Sequence, residues 1–306
     1  MGNDKPVLVQ YSSGIARRIA IKCPWIVTVR DKIRSVARRG KIFYIKSISK
    51  EYLSQKDIVR DLQRCGLKPG DKIMVHSSMH SMGILENGPE TFVNALQEVI
   101  SFEGLIVMPT FTHSNMYEYL ESDTVFDLTM IPSRNGAITE FFRTQENTYR
   151  SLNPTHPVAA WGKDAAEFCA GHEKSLTPFD EHSPYKKMID GNFKMVLVGV
   201  GLRPMTICRA FEDLRPDLAT RYPYYLDKIY TVYVKDRGRN LIQVQTKCRD
   251  PKYSIRVFNA YLYDYLQDKM TICNIGNATC HILYAQDVFN MQIELAKQGI
   301  FGYRDS

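Results

Sequence analysis

The chain has 306 residues, 44% of them hydrophobic and 24% charged, which is enough for one large core. Its net charge of +7 is unevenly spread, because residues 1–50 hold twelve Lys or Arg against two acids and the remainder holds 28 basic against 31 acidic groups. No run of 18 apolar residues is present to span a bilayer, no secretory leader pattern opens the chain, and no CxxC pair suggests a zinc site.

The seven cysteines (Cys23, Cys65, Cys169, Cys208, Cys248, Cys273 and Cys280) are scattered and odd in number. That usage predicts free thiols in a reducing, cytoplasmic compartment.

The basic arm, residues 1–51, contains "GIARRIAIKCPWIVTVRDKIRSVARRGKIFYI", where apolar residues alternate with Arg and Lys around Pro24 and Trp25. Three readings stay open. The arm packs as an extension, or is exchanged within a homodimer. It lies on an anionic membrane at the inner face, where each Lys or Arg contributes about 1 kcal/mol. It binds nucleic acid, which is the least favoured reading because no recognised module accompanies the charge, so no nucleic-acid partner is expected.

The body, residues 52–306, begins with "SQKDIVRDLQRCGL", a helix with Ser54 as N-cap, Ile58, Leu62 and Cys65 on one face, and Gly66 as its stop. "KIMVHSS" then reads as a buried strand, "GPETFVNALQEVI" as a helix with Pro89 near its start, and "GLIVMPTF" as a second strand. "NGAITEFFRT" is a short helix, and "VAAWG" is a short strand before "KDAAEFCAG". "FKMVLVGVG" is the strongest buried strand, and "MTICRAFEDL" opens an amphipathic helix just after it. "IYTVYV" and "LIQVQT" are β-like, and "AQDVFNMQIELAKQG" closes the body as a helix. Alternating strands and helices predict an α/β sheet with crossovers. Chemistry in such sheets gathers at the carboxyl ends of strands, and three ends here carry polar groups. They are His76-Ser77-Ser78, Thr110-Phe111-Thr112-His113, and the segment Gly199 to Glu212.

The segments "VHSSMHSMG", "GPETFVNAL", "GLIVMPTFT", "FDLTMIPSRNGAITEFFR", "RSLNPTHPVAAWG", "GHEKSLTPFDEHSPYKKM" and "VLVGVG" occur in this order, with "NIGNATCHILYAQDVF" near the end. Together they resemble the aminoglycoside 3-N-acetyltransferase family from about residue 55 to the last helix. The resemblance implies an α/β fold with a central mixed sheet and flanking helices. It also implies acetyl transfer from acetyl-coenzyme A, without a metal, to the amino group of a small-molecule acceptor.

By the same resemblance, His76, Ser77 and Ser78 lie along the coenzyme, and Ser183 and Pro184 form a second coenzyme contact. Thr110 lines the reacting end. Arg150 and Ser151 either join the site or brace the core. The family motif T-x-x-H-x-x-E, whose His is the general base, maps onto Thr206, Arg209 and Glu212. Arg209 replaces that His, and a guanidinium with a pKa above about 12 accepts no proton at neutral pH. It is expected to pair with Glu212 or to bind an anionic ligand group bidentately.

General-base help is worth about 10²–10⁴-fold, so another base is sought. His182 is the first candidate, with His172 and His156 next. Cys208, beside Arg209, either packs as an apolar residue or carries an acyl group as a thiolate nucleophile, and Cys208 and Thr206 are the positions expected to meet the acceptor. Arg203, Arg209, Arg215 and Arg221 surround the motif and either form a solvated helix face or suit an anionic acceptor, so the acceptor expected is an amino sugar, with or without a linked nucleotide, or an aminoglycoside-like compound. Relatives of the family stand beside genes of surface-polysaccharide assembly, which suits such a substrate. The alternative is a catalytically impaired member that binds coenzyme or sugar without turnover.

Overall fold

The computed structural model describes residues 52–113, 115–122, 124–219, 223–251 and 259–301. The basic arm, with Cys23 and every reading of residues 1–51, lies outside the described residues, as does Arg221.

Helix α1 (Gln55–Arg64) starts as the sequence predicts. The Ser54 hydroxyl accepts from Asp57 N–H, and the Asp57 carboxylate accepts from Ser54 N–H, closing a capping box over a face of Ile58 and Leu62. Strand β1 (Lys72–Ser77), the single turn α2 (Met79–Met82), α3 (Pro89–Ile100) and β2 (Leu105–Pro109) follow. Then come α4 (Met116–Leu120), β3 (Phe126–Asp127), α5 (Ala137–Arg143), β4 (Thr148–Arg150), β5 (Val158–Trp161), α6 (Ala165–Cys169), α7 (Pro184–Asp190) and β6 (Lys194–Val198). "MTICRAFEDL" is not one helix: a 3₁₀ turn, Thr206–Arg209, leads into α8 (Ala210–Leu214). The chain continues through β7 (Tyr225–Lys235), β8 (Leu241–Arg249), α9 (Asn259–Leu266), β9 (Thr271–Ile275), β10 (Ala278–Tyr284) and α10 (Ala285–Lys297).

Seven strands form a mixed sheet in the order β4-β5-β2-β1-β6-β10-β9. The central strands β2, β1 and β6 are parallel, and the flanking pairs are antiparallel. The central three are near-continuous apolar runs because both their faces are covered. Their residues alternate between two cores. Met74, Val107, Met195 and Leu197 meet α6, α7 and α10, whereas Ile73, Val75, Ile106, Met108, Val196 and Val198 meet α1, α3 and α5. β7 and β8 form a separate small sheet with β3. The path leaves β1 for β2 on one side and later returns to β6 on the other, which puts a topological switch point at the carboxyl end of β1.

The β9–β10 hairpin was not legible as strands. Its turn is Gly276-Asn277, with Gly276 at φ +53°, and a Cβ there would lie 2.5 Å from the Met82 carbonyl oxygen. The expectation of free thiols is corrected in part. Cys65, the C-cap of α1, is joined by a disulfide to Cys273 on β9, a partner 208 positions away that spacing could not reveal. Cys169, Cys248 and Cys280 are buried thiols outside any disulfide, and Cys208 is buried as well. Among the described residues no helix is long and apolar enough to cross a membrane.

Candidate active site

β1 and β6 end side by side, with His76 opposite Leu197 and Ser77 opposite Val198. His76 itself is buried, and burial pushes its imidazole down to about 4, so the ring is neutral at pH 7. Ser77 and Ser78 are half-buried. Ser78 Oγ accepts from Ser81 Oγ at 3.0 Å, and Ser81 packs so closely on Gly199 that any side chain at Gly199 would collide with it. Ser77 Oγ has no partner among the described residues, and Gly201, at φ +61°, borders open space. These half-exposed hydroxyls stand on a glycine-lined crest at the end of β1.

Beyond the end of β2 opens a cavity of about 470 Å³. The segment after β2 supplies Phe111, His113, Asn115 and Tyr117, the approach to β5 supplies His156, the 3₁₀ turn supplies Arg209, and the end of β8 supplies Arg249 and Asp250. The His156 ring lies edge-on to Phe111 and Phe179, with centroids 4.7 and 4.8 Å away, and its Nδ1 is 3.1 Å from Thr155 Oγ1. His113 Nε2 is 2.7 Å from the Thr155 carbonyl oxygen, and its ring stacks on Tyr119. Burial, then the neighbouring His113, then Arg209 and Arg249 hold the His156 imidazole well below its usual range. Burial, reinforced by Arg209 and Arg134, likewise lowers His113 against the opposing bond to Thr155. Both rings are therefore neutral at pH 7.

The Glu212 carboxylate is buried and meets Arg249 at 3.1 Å, which spreads over the faces of Tyr224 and Tyr225 at 5.6 and 5.9 Å. The i,i+3 partner expected for Glu212 was Arg209; the ion pair seen here comes from a strand 37 positions away. Next to it, Asp213 accepts from Tyr225 Oη at 2.7 and 2.9 Å and from Phe179 N–H at 3.0 Å, and burial raises its carboxyl to about 6.

His172 is fully buried, fixed by Ser151 Oγ at 2.8 Å and the Pro178 carbonyl at 3.0 Å, with burial lowering it to about 3. It is a structural histidine that no acceptor reaches. Thr110 is fully buried, and its hydroxyl accepts from Arg150 Nε (3.1 Å) and donates to the Pro157 carbonyl (3.2 Å), which braces the core at the end of β2. Arg150 completes that brace on the Leu128 and Ile131 carbonyls. Ser183 is fully buried as the N-cap of α7, accepting from Lys186 N–H and donating to the Asp180 carbonyl, and Pro184 is buried beside it.

His182 is half-exposed, with Glu181 3.8 Å away, and does not line the cavity. Thr206 and Cys208 are buried, Cys208 within the core cluster, and neither lines the cavity. Arg203 is exposed and Arg215 pairs with Asp217, so of the four motif arginines Arg209 alone among the described residues joins the cavity. His113 stood among the strand-end polar groups but was not singled out as a base; its position directly after a buried strand was the available signal. Arg249 and Asp250 carry no local signal, since only the fold brings the end of β8 to this place. Among the described residues no cluster of three His, Cys, Asp or Glu is placed to hold a metal ion.

The family model described as aminoglycoside 3-N-acetyltransferase matches residues 74–297. The chain is 24% identical to aminoglycoside N(3)-acetyltransferase III of Pseudomonas aeruginosa over 254 residues, covering 78% of this chain and 91% of that protein. It is 29% identical to the SPbeta prophage-derived aminoglycoside N(3')-acetyltransferase-like protein YokD of Bacillus subtilis (strain 168), covering 75% and 87%. Among solved structures it is similar to AAC-IIIb in a binary complex with CoASH, with a TM-score of 0.70 at 24% identity over 84% of this chain and 100% of that one. AAC-VIa bound to sisomicin also superposes with a TM-score of 0.70, at 25% identity over 82% and 99%.

Proposed function

The chain belongs to the aminoglycoside 3-N-acetyltransferase family and is an N-acetyltransferase that uses acetyl-coenzyme A; from that premise we propose that its acceptor is an amine bearing an anionic group, such as a nucleotide-linked amino sugar. The observation that carries this reading is that Arg209 and Arg249 line one cavity. Guanidiniums bind phosphate oxygens bidentately and repel a polycationic aminoglycoside. Asp250 is the one carboxylate among the described lining residues. Phe111 and Tyr117 offer ring faces to a sugar or a base.

Within this reading the chain's own residues divide the work. The Ser77 and Ser78 hydroxyls orient the coenzyme at the crest of β1. Arg209 holds the acceptor's anionic group. Glu212 keeps Arg249 in place through their buried ion pair, so its role is positioning. Use in surface-polysaccharide assembly, with the basic arm holding the enzyme at an anionic membrane, belongs to the same proposal.

The test uses the purified full chain with acetyl-coenzyme A and a panel of free amino sugars, their phosphate and nucleotide conjugates, and aminoglycosides, following free thiol. Thiol release is expected above all with the conjugates. No release above the buffer rate, with coenzyme binding seen by calorimetry, would establish the impaired, non-enzymatic binder instead.

A further inference from the structure

We propose that His156 is the general base of the transfer, its Nε2 taking the proton from the acceptor amine, and that Thr155 and Asn153 hold it in the required tautomer. The proposal rests on the acetyl-transfer reading above.

The hydrogen-bond chain determines which ring nitrogen is bare. Asn153 Oδ1 accepts from the backbone N–H groups of Thr155 (3.1 Å) and His156 (2.9 Å), which fixes that atom as the oxygen. An amide oxygen only accepts, so the Thr155 hydroxyl, 2.9 Å away, donates its proton to it. Thr155 Oγ1 then has only lone pairs to offer His156 Nδ1, which must carry the ring hydrogen. His156 Nε2 is left as a bare lone pair, without a partner among the described residues, on a ring that lines the cavity.

The same threonine orients the second imidazole. Its carbonyl can only accept, so His113 Nε2 carries the hydrogen and His113 Nδ1 is bare, but that nitrogen is enclosed by protein. His156 Nε2 is thus the nitrogen an acceptor reaches. Its ring is held by Phe111, Phe179 and His113, so the lone pair has one direction before any ligand arrives.

The proton balance closes. The neutral amine nitrogen forms a bond to the thioester carbonyl carbon while its proton passes to His156 Nε2. Collapse breaks the carbon–sulfur bond with the electron pair on sulfur, and the imidazolium returns the proton to give the free thiol and the amide. Arg209 and Arg249 oppose the imidazolium in the empty cavity. An acceptor whose anionic group meets those guanidiniums offsets their field, so the correct substrate strengthens its own base.

The test compares wild type with His156→Gln and Thr155→Val, all as the full chain, with a Thr155→Ser control that keeps the hydroxyl. His156→Gln is expected to lower kcat by about 100-fold or more, with coenzyme affinity by calorimetry within about twofold. Thr155→Val should lower kcat by about tenfold and Thr155→Ser should restore it. Independently of turnover, ¹⁵N spectra of wild type should show His156 neutral with hydrogen on Nδ1. A kcat for His156→Gln within about threefold of an active wild type, or hydrogen on Nε2, overturns the proposal. An inactive wild type overturns the acetyl-transfer reading itself, which is a separate result.

Discussion

Arg209 is where charge and chemistry part company at the residue scale. A guanidinium cannot deprotonate an amine, yet in the cavity beside Arg249 it is well placed to recognise one that carries phosphate. Arg209→Ala is therefore expected to raise KM for a phosphorylated acceptor by about 10–100-fold while leaving coenzyme affinity unchanged. Initial rates with varied acceptor, and calorimetry with coenzyme, check the two halves separately. The neighbouring histidines show how far residue type alone can mislead. His182, His172 and His156 stand in comparable motif segments, but one is half-exposed outside the cavity, one is locked in the core between Ser151 and Pro178, and one lines the cavity. Their difference lies in burial and in bonds to residues across the fold, which a linear reading does not contain.

At the scale of elements, the helices and strands that were legible are those whose signals are local. The Ser54–Asp57 capping box, Pro89 at the start of α3 and the apolar runs of β1, β2 and β6 each lie within a few residues of the structure they specify. The β9–β10 hairpin was missed because β9 is half exposed and carries little periodic signal. Ser183 illustrates how one motif serves two readings, coenzyme contact or helix cap. Its full burial and its bonds to Lys186 and Asp180 predict that Ser183→Ala costs about 1 kcal/mol of stability through α7. Urea unfolding should register that loss, and KM for acetyl-coenzyme A should stay at the wild-type value. A raised KM with unchanged stability would return Ser183 to the coenzyme site.

For the whole molecule, buried histidines couple the fold to pH, with His113 and His156 lowered in the same sense as His76 and His172. His76 and His172 are held neutral, at about 4 and about 3 against an ordinary 6.5, so the unfolded chain binds more protons than the native one below pH 6.5. Their contribution to stability is complete above that pH and is lost as pH falls through 5 and 4. Asp213 acts in the opposite sense: its carboxyl, raised to about 6, favours the folded state as pH drops from 6 towards 4. His76 and His172 outweigh Asp213 by an amount on the order of 3 kcal/mol and His113 and His156 add to it, so unfolding free energy should fall by at least about 3 kcal/mol between pH 7 and pH 4, measured by urea titration at each pH. The charge split belongs to this scale as well. If residues 1–50 hold the enzyme to lipid, deleting them should abolish sedimentation with anionic vesicles at low salt, with turnover by the body retained.

The central claim is that a guanidinium-lined cavity selects an anionic amine for acetylation. It is tested most directly by the ratio of kcat/KM for a nucleotide-linked amino sugar to that for the same amino sugar without the nucleotide, at fixed acetyl-coenzyme A. A preference of about 100-fold or more for the conjugate, falling to near unity in Arg209→Ala, is the predicted result. Equal rates for both acceptors, or faster turnover of a polycationic aminoglycoside, would contradict it.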